Sequence, residues 1–295
     1  MAAILPREEK TAAGVILMII AVALFICVDT SAKWLILGGM APIQAAFARY
    51  AGHFVYAVLF FWPSEGRSVF STARPFVQIA RSLALLGSTV LNFFALSQLP
   101  ITVTTTIMFS MPIIITVLAI PILGERVGLR RFSAVCVGFC GVIVVTQPWG
   151  AQWHPAMLYS LGAVSSAAIY FIMTRLLAGQ ASNATMQIWS SGIPTALLLP
   201  FATAQWVWPE TALGWSVFLG IGMFGLISHM LATMAHRYAE AALLSPVVYC
   251  QILFAAVAGI VAFDTWPTVY TLLGGLIIIG SGLYIWLRER KLAAL

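Results

Sequence analysis

Charged side chains divide this chain into long apolar stretches, and two of these set the scale. Residues 82–124 and 132–174 contain no Asp, Glu, Lys or Arg, and each run is 43 residues long. A helix crosses a hydrocarbon core with roughly 20 residues, so each run is read as two spans folded back on themselves. Turn formers mark the reversals: Ser97-Gln98-Leu99-Pro100 in the first run, and Gln147-Pro148-Trp149-Gly150 through His154-Pro155 in the second. The same reading predicts spans near 12–37, 42–62, 76–97, 101–121, 131–147, 154–177, 184–203, 212–235, 242–262 and 268–287. No connection is long enough to be a soluble domain. Arg7 and Lys10 precede the first apolar run as in a signal peptide. That run, Ala12 to Val28, exceeds the usual core of about 7–15 residues and no small-x-small cleavage site follows, so the segment is expected to stay as the first helix.

Polar residues inside these spans recur at helical spacing and so share single faces. Span 2 offers Arg49, His53 and Tyr56; span 3 Ser88 and Asn92; span 6 Ser166, Tyr170 and Thr174. Span 7 offers Gln187, Ser191 and Thr195; span 8 His229 and Thr233; span 9 Ser245 and Tyr249. Spans 5 and 10 are nearly bare. Polar groups in a bilayer face protein or water rather than lipid, so the pattern predicts a polar path through the interior.

Composition agrees with a lipid environment: 61% of residues are hydrophobic and 8% charged, against roughly 25% charged in soluble domains. The net charge of +6 is distributed as a topology signal and calls for no nucleic-acid partner. With ten crossings and a cytoplasmic N-terminus, 13 of the 15 Lys and Arg residues fall on the inner side; Lys33 and Arg49 are the exceptions. Positive charge is retained on the cytoplasmic side, so both termini are expected there, in a bacterial inner membrane. Cys27, Cys136, Cys140 and Cys250 all lie in spans and are read as small packing residues without disulfides.

The two halves of the chain echo one another. Leu99 to Glu125 and Tyr238 to Asp264 keep a constant offset of 139 residues; in both, a span ends in an acidic residue and a glycine-rich span follows. Gly141 and Gly280 share that offset, while Lys33 matches Arg175 and Phe47 matches Trp189 at 142. Five spans per half would insert the second copy upside down, an arrangement that places a solute site between the repeats near the midplane. The repeats are assigned to residues 1–147 and 148–295.

Ten spans in two such repeats, Pro112 within the fourth span, and Leu123-Gly124-Glu125-Arg126 before a glycine-rich fifth span resemble the drug/metabolite transporter superfamily. The likeness is greatest to its EamA-type branch and to the YddG-like aromatic amino acid exporters within it. The second copy departs by carrying Asp264-Thr265-Trp266-Pro267 at the equivalent place. The resemblance implies an all-α integral membrane protein with a central cavity lined by spans 1–4 and 6–9.

Candidate residues follow. Asp29 and Lys33, four apart, are expected to pair along one helix face at the outer mouth. Arg49 has no partner on its own helix and is expected either to pair with Asp29 or to hold a carboxylate in its planar fork. His53, Asn92, Ser110, Ser191, His229 and Gln251 are candidate cavity groups. Tyr170, Trp189 and Tyr249 would add aromatic walls. Pro112, Pro194 and Pro246 lie within spans and are candidate hinges.

The expected function is export of small metabolites, most naturally amino acids, by alternating access, with drugs or nucleotide-type metabolites as alternative solutes. An intramembrane enzyme is disfavoured: the four His form no His-Glu-x-x-His, and there is no Gly-x-Ser-x-Gly. No Walker-type loop is present, and no cofactor or metal is expected. The partners expected are the solute and the bilayer, for a monomer.

Overall fold

The computed structural model describes residues 11–111, 113–115, 117, 118, 129–147, 150, 153–177, 180–238, 244 and 247–293. Among these residues all regular structure is helical. In chain order the α-helices are α1 (Thr11–Leu37), α2 (Pro42–Glu65), α3 (Pro75–Leu96), α4 (Ile101–Met108), α5 (Leu129–Thr146), α6 (Ala156–Leu176), α7 (Asn183–Ala202), α8 (Ala212–Tyr238), α9 (Gln251–Phe263) and α10 (Val269–Ala293). Four of them contain stretches long and apolar enough to cross a membrane: Ala12–Leu37, Pro75–Leu96, Ala156–Thr174 and Ala212–Ala235. Gln251–Phe263 and Val269–Tyr284 are shorter apolar stretches.

Local signals explain several boundaries. Pro42 and Pro75 open α2 and α3, where the missing N–H costs nothing. Ser182 caps α7 by accepting from the Thr185 amide at 3.1 Å. Asp264 ends α9 in the left-handed region at φ 49°, its amide donating to Ile260 O at 3.1 Å. Pro194 lies within α7, which runs unbroken past it. Pro112, Pro246, Ser245 and Glu125 lie outside the described residues, as does Arg126.

Spans 4 and 9 depart from continuous helices. Helix α4 stops at Met108, Phe109 and Ser110 form a turn, and helical residues resume at Met111. In the second half Val247 and Val248 are helical, Tyr249 and Cys250 form a turn, and α9 begins at Gln251. The two turns are 140 residues apart in sequence and meet in space: the Phe109 and Tyr249 rings lie 5.2 Å apart, edge to face.

The largest packing interfaces each join one helix from the first half to one from the second. Helix α1 lies along α8, α3 along α6, α5 along α10, and α2 against both α7 and α8. Exchanging every helix for the one five places on converts α1–α8 into α3–α6 and α2–α8 into α3–α7, and returns α2–α7, α4–α9 and α5–α10 to themselves.

Glycines permit two of the closest approaches. A Cβ on Gly222 of α8 would fall 2.6 Å from the Gly52 and His53 backbone of α2. A Cβ on Gly141 of α5 would lie 2.9 Å from Gly274 O of α10. The partner of Gly141 is thus Gly274, whereas Gly280, its match in the sequence offset, faces open space.

The outer surface is apolar: Phe76, Leu59, Val261, Trp266, Val269 and Leu276 are all largely exposed. Cys136 and Cys140 are also exposed, on α5, so the expected packing role is corrected to an outward position; all four cysteines are free. Several charged and amide side chains are instead buried: Lys33, Gln44, Arg49, Gln78 and Arg81. A water-soluble chain shows the reverse.

Candidate functional site

The interior polar residues gather where α1, α2, α3, α6, α7 and α8 meet. On α2, Arg49 and His53 stand four apart and share a face. Opposite them α8 turns Gly222, Gly225 and His229 inward. Gly225 leaves room there, since a Cβ on it would sit 3.6 Å from His53 Nδ1 and 3.9 Å from Arg49 Nε.

His53 is 1% exposed, and its Nε2 is 3.2 Å from Gln187 Oε1 of α7. The His229 ring lies 5.9 Å from the His53 ring, 6.5 Å from Tyr170 and 5.0 Å edge-on from Phe25 of α1. His229 Nε2 is buried with no hydrogen-bond partner among the described residues. Five helices thus contribute an imidazole, phenol, amide or phenyl to one cluster. Such a set offers both hydrogen bonds and flat apolar faces to a bound molecule.

Asp29 and Lys33 are not a pair, which corrects the expectation from their spacing. Lys33 Nζ donates to Leu96 O at 2.8 Å and Leu99 O at 2.7 Å, so its charge caps the C-terminal end of α3, where carbonyls lack helical partners. Asp29 Oδ1 instead accepts from Asn92 Nδ2 at 3.0 Å. Asn92 Oδ1 is buried without a partner among the described residues.

Arg49 is 5% exposed. Among the described residues it forms no ion pair with Asp29 or another carboxylate. Its Nη1 donates to Thr89 Oγ1 at 3.0 Å, and the guanidinium lies 4.6 Å over the Tyr50 ring. The Tyr50 hydroxyl donates to Leu85 O at 2.8 Å, which fixes the ring as a platform.

Charge alone did not reveal Arg81, which the topology reading counts only among the 13 Lys and Arg residues of the inner side. It is 3% exposed and ties three helices together. Nε donates to Thr174 Oγ1 at 2.7 Å, Nη2 to Tyr170 OH at 2.8 Å, and Nη1 to Ser190 Oγ at 2.6 Å and Met186 O at 3.1 Å. A longer contact of 3.5 Å reaches Gln78 Oε1. The available signal was its position seven residues into a helix that begins at Pro75, too deep for a loop charge.

Other candidates lie elsewhere. Trp189 is half-buried, with its indole N–H donating to Phe70 O at 3.2 Å, on the linker between α2 and α3. It sits two residues from Gln187, which turns it away from the histidines. Ser191 Oγ donates to Gln187 O at 2.8 Å, and Ser110 Oγ to Ile107 O at 2.7 Å, so both hydroxyls serve their own helices. Ser110 and Tyr249 belong to the facing turns of spans 4 and 9 and Gln251 opens α9; Tyr249 packs in a separate apolar cluster that includes Val103, Ile107 and Ile278.

Similarity to known proteins bears on this geometry. The model of the EamA-like transporter family matches the chain twice, over residues 12–147 and 154–287. The chain is 29% identical over 226 residues to an S-adenosylmethionine uptake transporter of Rickettsia bellii, covering 77% of each chain. It is 28% identical over 290 residues to a riboflavin transporter of Rhizobium johnstonii, covering 97% of this chain and 94% of the relative. A riboflavin transporter of Brucella anthropi is 23% identical, with 91% and 96% covered. One solved crystal structure superposes with a TM-score of 0.64 at 16% identity, over 97% of this chain and 99% of its own; that likeness concerns the fold.

Proposed function

This chain belongs to the EamA-like transporter family, and on that premise we propose that it is a secondary transporter of a small organic metabolite working by alternating access. The observation that carries the reading is the cluster of His53, Gln187, His229 and Tyr170, drawn from both halves of the chain and buried in an otherwise apolar bundle. Burying such groups without purpose is costly, and a site shared by two halves is remade whenever the halves rock. Two inverted five-helix repeats around a central cavity would supply that motion. The two family matches support this arrangement, as do the packing scheme that survives exchange of the halves and the facing breaks in spans 4 and 9.

The resemblance pointed to export of amino acids. Relatives named for uptake of S-adenosylmethionine and for riboflavin widen the solute class and favour inward movement. Both termini are placed in the cytoplasm of a bacterial cell on the strength of the Lys and Arg distribution. The hinge reading of Pro112, Pro194 and Pro246 belongs to the same proposal.

Counterflow in proteoliposomes tests it, with labelled S-adenosylmethionine, riboflavin and a panel of amino acids. Accumulation of at least one, abolished by a bulky His229→Trp replacement, is the expected result. Folded protein that moves none of them defeats the proposal.

A further inference from the structure

Among the described residues Asp29, Lys33, Arg49 and Arg81 carry charge into the interior, and the difference between their environments narrows the solute. Lys33 is satisfied by two carbonyls and Arg81 by four close acceptors. Neither has call for a ligand. Arg49 is as deeply buried as these, yet among the described residues its guanidinium has as close neighbours only the Thr89 hydroxyl, to which Nη1 donates, and Tyr50. A guanidinium with donors to spare is best completed by an anion, which its planar fork can hold.

The opposite need lies beside it. Among the described residues Asp29 takes its hydrogen bond from Asn92 through Oδ1, and Asn92 Oδ1 is buried and accepts nothing. Thr89 and Asn92, which anchor Arg49 and Asp29 respectively, are three apart on α3. Residues so spaced have Cβ atoms about 5–6 Å apart on one face. The depths also agree. Asp29 lies eight residues before the end of α1 and Arg49 seven after the start of α2, about 12 and 10.5 Å from that end of the bundle.

We infer that Arg49 and the Asp29–Asn92 pair form a clamp for an α-amino-carboxylate group, the carboxylate on the Arg49 fork and the ammonium between Asp29 and Asn92 Oδ1. The inference rests on the transporter reading and deepens it. An α-amino acid carries its two charged groups on one carbon, so it fits between partners held one helical turn apart. The rest of the solute then extends toward Phe25, His53, His229 and Tyr170, whose rings accept a flat or thioether-bearing body. A solute without the charged head gains nothing from the clamp.

Binding to the full-length purified protein, followed by tryptophan fluorescence and thermal shift, separates these cases. Two matched sets serve as probes. One is methionine, its methyl ester and its des-amino analogue methylthiobutyrate; the other is S-adenosylhomocysteine against methylthioadenosine. Loss of either charged group is expected to weaken binding about tenfold or more. Arg49→Gln removes discrimination between acid and ester, and Arg49→Lys keeps it in reduced form. Asp29→Asn removes discrimination between the acid and its des-amino analogue while preserving the contact to Asn92. Because each readout is a ratio between probes, partial misfolding of a variant does not imitate it. Equal binding of all members of a set overturns the clamp. So does binding of no amino-carboxylate probe while riboflavin is still carried, and that outcome leaves the transporter reading intact. Failure to move any solute strikes the transporter reading itself.

Discussion

Arg49 and Arg81 lie in one bundle, both nearly inaccessible, and differ in what surrounds them. Arg81 sits toward the start of α3 with Thr174, Tyr170, Ser190 and the Met186 carbonyl all within 3.1 Å. Arg49 sits toward the other end, touching one hydroxyl and one ring face. The first region is finished as a piece of protein; the second is completed by something else. Burial of a charge does not mark a binding site, therefore, until the donors have been assigned one by one. What separates the two arginines is the neighbouring side chains: α6 and α7 present hydroxyls and a carbonyl to Arg81, while α8 presents Gly225 to Arg49.

Replacing each arginine with Met is the most direct way to break the comparison, and carries the largest expected effects. Arg81→Met leaves several buried acceptors unpaired and detaches α3 from α6 and α7. Hydrogen bonds to a charged group contribute about 1.5–3 kcal/mol each without adding fully, so a loss of about 4 kcal/mol is expected, seen as a fall in Tm in detergent. Arg49→Met removes a buried charge with few partners and is expected to leave Tm unchanged or raise it. Its uptake should fall about 100-fold, the scale of truncating a group that meets a charged ligand. Equal loss of Tm in both variants would erase the distinction.

Two glycine contacts sharpen the same contrast between framework and site. Gly222→Ala places a Cβ 2.6 Å from the backbone around Gly52 and His53, forcing α8 away from α2 beside the histidines. Gly141→Ala makes a clash of nearly the same size between α5 and α10, away from the cluster. Overpacking costs roughly 1–3 kcal/mol in each case. Only Gly222→Ala is expected to change solute affinity, by about tenfold, because it moves His53 relative to His229. Thermal unfolding and saturable uptake, measured together, read both quantities. An affinity change in Gly141→Ala of the same size would place α5 and α10 in the site.

Element positions were legible in the sequence because lipid imposes them: long charge-free runs, turn formers between them, and a proline or small cap where helices start. The described helices α1, α2, α3, α6, α7 and α8 fall within a few residues of their expected spans. The turns inside spans 4 and 9 were legible only through the nearby Pro112 and Pro246, since Phe109, Ser110, Tyr249 and Cys250 carry no breaker of their own. Of the site, spacing identified His53, Tyr170 and His229 as inward-facing. It failed for Lys33, whose long side chain reaches carbonyls more than 60 residues away, and for Arg81, whose partners come from two distant helices. Periodicity tells which face a residue occupies; it says nothing of which donor meets which acceptor across that face.

Lys33 offers the smallest effect and tests that last distinction. If Asp29 and Lys33 were a pair, as four-residue spacing suggests, Lys33→Gln would leave a buried carboxylate alone and disturb solute binding along with stability. The structure gives Lys33 Nζ to Leu96 O and Leu99 O, and gives Asp29 to Asn92. A glutamine amide can still donate to one of those carbonyls, so the variant loses about one charge-assisted hydrogen bond at a helix end, roughly 1 kcal/mol. In a chain of 295 residues that is a Tm decrease of about 2–4 °C. Methionine and its ester should be discriminated as well as before, because Asp29 and Arg49 keep their surroundings. A variant that lost discrimination would reinstate the Asp29–Lys33 pair and take one wall from the clamp.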